Sequence, residues 1–199
     1  MAMETTSVTT GKRDRETATS RAAKLRTGAA FDTLTGLHNH QAILEKLGEL
    51  ISLANRYRDD LSVILLDIDR IKAINDRYGH HTGDEALVRV ATLLRQNARD
   101  SDIVGRWAGD DFVIIVPRTG LSSAWVVAER LRTLVEKLEM KDPTGDLFSV
   151  TVSLGLVQWE RSEDARSLIC RADEALHKAK QKGPNRVQIL LGPSLRDKI

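Results

Sequence analysis

Residues 105–117, GRWAGDDFVIIVP, form two apolar arms around a short polar turn, and this stretch decides the fold. The turn consists of Ala108, Gly109, Asp110 and Asp111. Such a pattern predicts a β-hairpin whose tip carries two adjacent carboxylates. The fold of the remaining chain follows from what this hairpin pairs with and from what its acids face.

A second acidic segment begins at Asp67, directly after the apolar run at residues 61–66. A short continuous apolar run predicts a central strand that is covered on both faces. If this strand lies beside the hairpin, Asp67 and the turn acids converge on one small volume. Crowded carboxylates repel one another, and at neutral pH they share either protons or a cation. A shared cation suggests a hard divalent metal and a phosphorylated substrate.

Apolar residues at helical spacing predict several amphipathic helices that pack on the sheet. The predicted helices span about 41–56, 70–78, 83–98, 122–138 and 165–181, and further strands span about 148–159 and 186–190. Helices that alternate with a mainly antiparallel sheet indicate an α+β layered domain.

The 199-residue chain is long enough for one domain with a full core and a terminal extension. Its formal net charge of +2 gives no strong global field that would favour nucleic acid or a membrane. The one cysteine, Cys170, follows two apolar residues, which predicts a buried structural thiol in a reducing cytosol. Because no apolar run approaches the ~18 residues of a membrane span, we expect a soluble, cytoplasmic chain.

Four motifs follow one another between about residues 30 and 190. They are DTLTGLHNH at 32–40, DIDRIKAIND at 67–76 with YGH at 78–80 and GD at 83–84, AGDDF at 108–112, and ADEAL at 172–176 with AK at 179–180. Together they resemble the motifs of the GGDEF family of diguanylate cyclases. The resemblance implies a palm-like central sheet, mainly antiparallel and surrounded by helices, of the kind that nucleotidyl cyclases share with polymerases.

The resemblance also gives expected domain boundaries. Residues 1–20 are polar and charged and are interpreted as a disordered or added leader. Residues 21–30 are interpreted as an incoming helix or linker, 31–191 as the GGDEF domain and 192–199 as a C-terminal tail. Because the family commonly receives its signal from an upstream sensor, we expect the input signal of this chain to be either missing or supplied by another protein.

The acids supply the expected metal site. Asp67, Asp110 and the backbone carbonyl of Ile68 are the predicted ligands of Mg²⁺ or Mn²⁺, and Asp110 and Asp111 are the predicted catalytic pair. Two carboxylates suffice, because Mg²⁺ completes its octahedron with water and substrate phosphate. The alternative is that Asp110 and Asp111 only make a polar hairpin turn, which is a common use of aspartate.

Asn75 and Asp84 match the pair that reads guanine in the family. A carboxylate accepts from guanine N1 and N2, while an amide nitrogen donates to O6, and adenine presents the opposite pattern. The alternative interpretation places Asn75 at the end of one helix and Asp84 at the start of the next.

Lys72 and Lys180 are the predicted phosphate-binding residues, although a lysine on a helix is often only solvated. In the family, an arginine that also holds phosphate follows the second lysine. Proline stands in that place here, at Pro184, and the sequence leaves open whether Lys182 or Arg186 compensates.

Two further departures lie in the turn itself. Ala108 replaces a glycine, which is tolerated if that position does not need a positive φ. Asp111 replaces the usual glutamate, and the loss of one methylene draws its carboxylate back by roughly 1.5 Å. If this acid organises the metal or the attacking hydroxyl, the rate falls, because a misplacement of about an ångström can cost ~100-fold.

Arg99 and Asp102 form the R-x-x-D pattern that binds product and inhibits the enzyme in the family. An arginine grips phosphate or guanine through two hydrogen bonds, and a nearby acid accepts from the guanine edge. The alternative is a surface Arg-Asp pair after a helix.

The leading hypothesis is a Mg²⁺-dependent diguanylate cyclase that condenses two GTP into cyclic di-GMP with release of two pyrophosphates. Because one domain is expected to hold one GTP, the enzyme acts as a homodimer, at least transiently. The rival hypothesis is a degenerate module that binds cyclic di-GMP or GTP as a receptor. A polymerase-like palm acting on nucleic acid is disfavoured, because aromatic residues make up only 4% of the chain and no basic stripe is visible.

Overall fold

The computed structural model describes residues 30–161 and 163–193. The predicted leader and most of the predicted incoming helix lie outside the described residues, as do residues 194–199 of the predicted tail. The helices are α1 His40–Tyr57, α2 Ile71–Tyr78, α3 His80–Asn97, α4 Leu121–Glu136 and α5 Ala165–Gln181. The strands are β1 Leu61–Ile68, β2 Ile103–Ala108, β3 Asp111–Pro117, β4 Glu139–Lys141, β5 Leu147–Ser149, β6 Val152–Gln158 and β7 Val187–Ile189.

Five of these strands form one sheet in the order β2-β3-β1-β6-β7. β1 lies at its centre and pairs antiparallel with both β3 and β6, whereas β6 and β7 are parallel. β4 and β5 form a separate two-stranded hairpin. The expected α+β fold with a mainly antiparallel sheet is confirmed.

Side chains of β1 alternate between two apolar cores, one on each face of the sheet. Ile64, Leu66 and Ile68 belong to the core that α3 and α4 cover, and Val63 and Leu65 belong to the core that α1 and α5 cover. Odd-numbered residues of β1 and β3 therefore point toward α5. This parity decides which helix can reach the acids at the end of the two strands.

Capping residues fix the ends of the two helices on that face. Asn39 accepts from the backbone N–H of Ala42 at the start of α1, and Asp164 accepts from the N–H of Ser167 at the start of α5. None of the helices in the described ranges is both long and apolar enough to span a membrane.

Three sequence predictions were wrong in detail. α3 begins at His80, three residues before the predicted start, because Gly79 has φ +87° and breaks the chain there between two helices. The strand predicted at 148–159 is divided into β5 and β6, and β4 was missed. Cys170 is exposed, since its apolar neighbours Leu168 and Ile169 face the core while Cys170 lies on the outer side of α5.

Candidate active site

The acids converge where β1 ends and β3 begins. Asp67 and Asp111 are direct partners in the antiparallel register, and Asp110 precedes Asp111 in the turn. The positive φ of this turn, +52°, lies at Gly109, whereas Ala108 ends β2 with an ordinary backbone conformation. The predicted convergence is confirmed, and Ala108 is tolerated for the reason that the sequence suggested.

Lys180 reaches this volume from the C-terminal part of α5. Its Nζ lies 2.6 Å from Asp67 Oδ2, and Asp67 is almost fully buried. Burial alone would lower the pKa of Lys180, but the hydrogen bond to Asp67 and the charge of Asp67 outweigh it, so the pKa is raised. Lys180 is therefore held as a cation against the end of β1.

Asp111 shares a hydrogen bond with Asp67. Burial, followed by the charge of Asp67 and this hydrogen bond, raises the pKa of Asp111 to about 7. Burial also raises the pKa of Asp67, although the hydrogen bond from Lys180 opposes the change. The raised pKa values reflect the mutual repulsion of the crowded carboxyls, which either a shared proton or a shared cation relieves.

An open cleft of about 520 Å³ lies beside these acids. It brings together five of the predicted site residues, and Arg70 and Asp69 border it as well. The five are Asp67, Ile68, Lys72, Asp110 and Lys180. Within residues 30–161 and 163–193, no three His, Cys, Asp or Glu side chains are arranged to hold a metal ion by themselves.

Arg106 holds the acidic turn in place through hydrogen bonds. Its Nε donates to the carbonyl oxygen of Gly109 at 2.8 Å, and its Nη1 donates to both carboxylate oxygens of Asp32 at 3.2 and 3.3 Å. Thr35 donates to the same carboxylate through its N–H and its hydroxyl. Burial would raise the pKa of Asp32, but the bonds from Thr35 and Arg106 prevail and lower it.

Asn75 lies in the last turn of α2, against the beginning of α3. A Cβ at Gly83 would lie within 1.8 Å of Asn75 Oδ1, so glycine is required for this close approach. Asn75 Oδ1 is buried without a hydrogen-bond partner, and Asp84 follows Gly83 on an exposed position. The structure therefore places Asn75 and Asp84 on the two sides of the α2–α3 junction.

The R-x-x-D segment lies at the opposite end of the sheet. Asp102 Oδ2 accepts from the backbone N–H of Arg99 at 2.9 Å, which makes a local turn rather than a side-chain ion pair. Arg99 borders a second cleft, together with Leu61 at the start of β1 and Pro117 at the end of β3. At the usual rise per residue, β1 separates this cleft from Asp67 by about 20 Å.

The order of these motifs and their geometry agree with a comparison of the whole sequence. The model of the GGDEF family, described as diguanylate cyclase, GGDEF domain, matches residues 29–186. This chain belongs to the GGDEF family.

Individual relatives of the GGDEF domain carry the same description. The chain is 38% identical to diguanylate cyclase DosC of Escherichia coli (strain K12) over 159 residues, which are 80% of this chain and 35% of DosC. It is 40% identical to diguanylate cyclase DgcM of the same strain over 166 residues, which are 82% of this chain and 39% of DgcM. The chain thus spans little more than a third of the length of these curated relatives.

Among solved structures, the GGDEF domain resembles that of DgcB from Caulobacter crescentus in complex with c-di-GMP. The TM-score is 0.78 at 31% identity, over 81% of this chain and 95% of that one. The likeness therefore extends over nearly the whole of that domain.

Pro184 borders the cleft of this GGDEF domain, but Lys182 and Arg186, the two candidates to compensate for it, do not. Lys182 Nζ donates to Gln188 Oε1 at 2.6 Å, and the guanidinium of Arg186 lies behind Gly183. Arg70, which sequence reasoning missed, is the guanidinium that does border the cleft. Its signal was its place in the second motif, next to Asp69 and before the first turn of α2.

Sequence reasoning also missed the role of Arg106 and Asp32. Asp32 belongs to the opening motif, which the sequence analysis used only as a mark of resemblance. The two residues are 74 positions apart, and no local pattern pairs them. Only the fold shows that the opening motif supports the acidic turn.

Proposed function

We propose that this GGDEF domain condenses two GTP molecules into cyclic di-GMP and releases two pyrophosphates. The observation that carries the proposal is the shared cleft, in which Asp67 and Asp110 stand beside Lys72 and Lys180. Acids that suit a divalent metal and cations that suit phosphate are the two requirements for binding a nucleoside triphosphate. The relatives named as diguanylate cyclases support the same reaction.

In this proposal the base of GTP binds at the α2–α3 junction. The carboxylate of Asp84 accepts from guanine N1 and N2, and the side-chain amide of Asn75 donates to O6. Adenine would leave these groups unpaired, which selects for GTP. A bound GTP then extends its triphosphate along α2 toward Lys72, Arg70 and Lys180.

Asp67, Asp110 and the carbonyl of Ile68 would hold a divalent cation, Mg²⁺ or Mn²⁺. The donor set fits, because these are hard oxygen ligands. Burial and the charge of Asp110 both raise the pKa of Asp67, and a bound cation would relieve this unfavourable charge. When bound, the cation neutralises the triphosphate and the charge that develops on the leaving pyrophosphate. Lys180 can then turn from Asp67 to a phosphate oxygen.

Each 3′ hydroxyl oxygen attacks the α-phosphorus of the other GTP in line, and the hydroxyl proton passes to water. A new P–O bond forms, the bond to the β-phosphate breaks, and pyrophosphate leaves with the electron pair. Each domain is expected to hold one GTP in this cleft, so two domains face each other. Homodimerisation in the cytoplasm is thus part of the proposed mechanism, because orientation of the two nucleotides supplies much of the rate.

Cyclic di-GMP is also the proposed inhibitor, bound at Arg99 beside the second cleft. The guanidinium of Arg99 is exposed and free to grip a phosphate or a guanine edge. Because Asp102 already accepts from the backbone of Arg99, it also holds the turn that presents this arginine. About 20 Å separates the two clefts, so inhibition acts through the sheet or through the arrangement of the dimer.

The alternative function is that of a receptor for cyclic di-GMP or GTP. Two observations favour it. Asp111 shares a hydrogen bond with Asp67. Neither Lys182 nor Arg186 borders the cleft in place of the phosphate-binding arginine that Pro184 replaces. A domain with these defects would keep ligand affinity and lose turnover.

The deciding experiment incubates the purified chain with GTP and Mg²⁺ at several protein concentrations and separates the products by chromatography. A matched sample carries Asp110→Ala. Formation of cyclic di-GMP that rises more steeply than linearly with protein, and that disappears in the variant, supports a dimeric cyclase. If no product forms but cyclic di-GMP binds and the Arg99→Ala variant does not bind it, the domain is a receptor.

A further inference from the structure

Asp69 borders the cleft and has no part in the proposed reaction, yet its carboxylate accepts three hydrogen bonds. Its Oδ1 accepts from the hydroxyl of Ser153 at 2.7 Å. Its Oδ2 accepts from the hydroxyl of Thr151 at 2.7 Å and from the backbone N–H of Asn185 at 2.8 Å. Two of these bonds join Asp69 to the beginning of β6, and the third joins it to the turn that follows α5.

Asn185 carries this connection onward to α4. Its Oδ1 accepts from Arg132 Nη1 at 2.7 Å, and its Nδ2 donates to Glu136 Oε1 at 2.7 Å. The hydrogen bond from Asn185, followed by that from Arg132, lowers the pKa of Glu136. The backbone of Asn185 has φ +58°, a conformation that asparagine adopts more readily than most residues.

The residues just before Asn185 form one wall of the cleft. Gly183 and Pro184 border it, and the N–H of Gly183 donates to the carbonyl of Lys180 at 3.1 Å. Pro184 has a fixed φ, so one of the backbone rotations between Gly183 and Asn185 cannot absorb a shift of Asn185. The turn is therefore held at one end by α5 and at the other end by Asp69 and α4.

We propose that Asp69 is a positioning residue, which holds residues 183–185 and with them Lys180 against the phosphate cleft. The inference rests on the proposed cyclase function and names a residue that sets its phosphate site. Asp69 also follows Ile68 directly, so the same bonds fix the carbonyl proposed to face the metal. Together these contacts join β1, β6, α4 and the end of α5 at one point beside the cleft.

The bonding pattern separates two substitutions at this position. Asp69→Ala removes all three acceptors and releases the turn. Asp69→Asn keeps an oxygen in the place of Oδ2 for Thr151 and Asn185, while its amide donates to the Ser153 hydroxyl, which rotates to accept. The hydrogen bonds that position the turn thus survive in Asp69→Asn and are lost in Asp69→Ala.

Two measurements read the role independently. Amide exchange of Asn185 by NMR reports the N–H bond to Asp69 without any need for activity. Initial rates of cyclic di-GMP formation against GTP concentration report the phosphate site. The matched control is Ser62→Ala, which removes a buried hydrogen bond to the carbonyl of Thr119 at the far end of the same strand.

We expect Asp69→Ala to speed the exchange of Asn185 and to raise KM for GTP roughly tenfold, since a shift well below one ångström suffices. Asp69→Asn keeps the hydrogen bonds that position the turn, so we expect both values to lie within about threefold of wild type. Ser62→Ala lowers thermal stability and leaves KM unchanged. A folded Asp69→Ala with wild-type KM, or an Asp69→Asn as impaired as the alanine variant, would overturn the proposal.

Asn185→Gly provides a second variant in case Asp69→Ala does not fold. Glycine accepts the positive φ and keeps the N–H for Asp69, but it loses both bonds to α4. We expect a rise in KM of about threefold for loss of these two bonds, and an unchanged KM contradicts the proposal. If wild-type protein forms no cyclic di-GMP, the proposed function fails, and the exchange of Asn185 alone then decides the role of Asp69.

Discussion

Asp67 and Asp111 are cross-strand partners whose carboxyl groups share a hydrogen bond, at the point where β1 ends and β3 begins. Directly opposed carboxylates destabilise an antiparallel pair unless one is protonated or a cation lies between them. Lys180 neutralises part of the negative charge of this pair, since its Nζ contacts Asp67. The proton on this pair is therefore the group that a divalent cation has to replace.

The first prediction concerns pH and stability without metal. The pKa of Asp111 is about 7 in the folded state, against 3.8 for the free side chain, which represents the unfolded state. The folded protein thus binds more protons, so the contribution of Asp111 is fully present below about pH 4 and is lost as pH rises through 7. The raised pKa of Asp67 has the same sign. Urea unfolding in chelator should show this decline in the free energy of unfolding.

Asp111→Asn is the control for that experiment, because an amide does not titrate in this range. The variant should lose less stability than wild type over the same pH interval. Mg²⁺ should restore stability to the wild type at neutral pH by replacing the proton. Unfolding curves that run parallel in the two proteins at every pH would show that Asp111 titrates normally.

The second prediction concerns the length of the acid at position 111. Asp111→Glu extends the carboxylate by about 1.5 Å, past the hydrogen bond with Asp67 and toward the cleft. We expect kcat to rise about tenfold, because a small improvement in the position of this carboxylate has a large effect on rate. Asp111→Asn is the comparison and should lower kcat. A slower Asp111→Glu would instead mean that the shorter acid suits this site.

The third prediction concerns the choice of base. Asp84→Ala removes the acceptor for guanine N1 and N2, so KM for GTP should rise roughly tenfold, as expected when a polar partner is lost. Competition by ATP should change little, which lowers the discrimination between the two nucleotides. Asp76→Ala, an exposed acid next to Asn75, is the control and should leave KM unchanged. Equal effects of the two variants would point to net charge rather than to base recognition.

The fourth prediction concerns the support of the turn. Arg106→Met keeps the unbranched apolar part of the side chain but removes its bonds to Gly109 and Asp32. Both side chains of the ion pair are partly buried, at 17% and 22% exposure, so water replaces the lost bonds only in part. We expect kcat to fall about tenfold or more with a smaller change in KM, because Asn75 and Asp84 lie on other elements. Asp59→Asn breaks the exposed pair with Arg118 and should alter neither value.

Sequence patterns located the acids because strands have a strict period. An apolar run ending in Asp67 and a hairpin with acids at its tip admit few arrangements once the two strands pair. The pattern also gave α5 as residues 165–181, where Asp164 caps one end and Gly183-Pro184 follows the other. Helix faces were harder, as Cys170 shows, because an apolar run does not tell which side of a helix is covered.

Contacts between distant segments were beyond the sequence for a different reason. Arg106 contacts Asp32, and Asp69 contacts Asn185, only because the fold brings remote segments to the same end of the sheet. No spacing rule links residues separated by 74 or 116 positions. The replacement of a phosphate-binding arginine by Pro184 was visible in the sequence, but only the structure shows that Arg70 borders the cleft instead.

The fifth prediction concerns inhibition by product. Arg99 borders a cleft at the far end of β1, so its removal should weaken the binding of cyclic di-GMP without touching the acids at Asp67. We expect Arg99→Ala to raise the concentration for half inhibition about tenfold, as for the loss of a hydrogen bond to a charged group. Arg95→Ala, one turn earlier on α3 and also exposed, removes the same charge and should leave inhibition unchanged. If both variants weaken inhibition equally, the general positive charge of this surface attracts the product and the R-x-x-D turn has no special role.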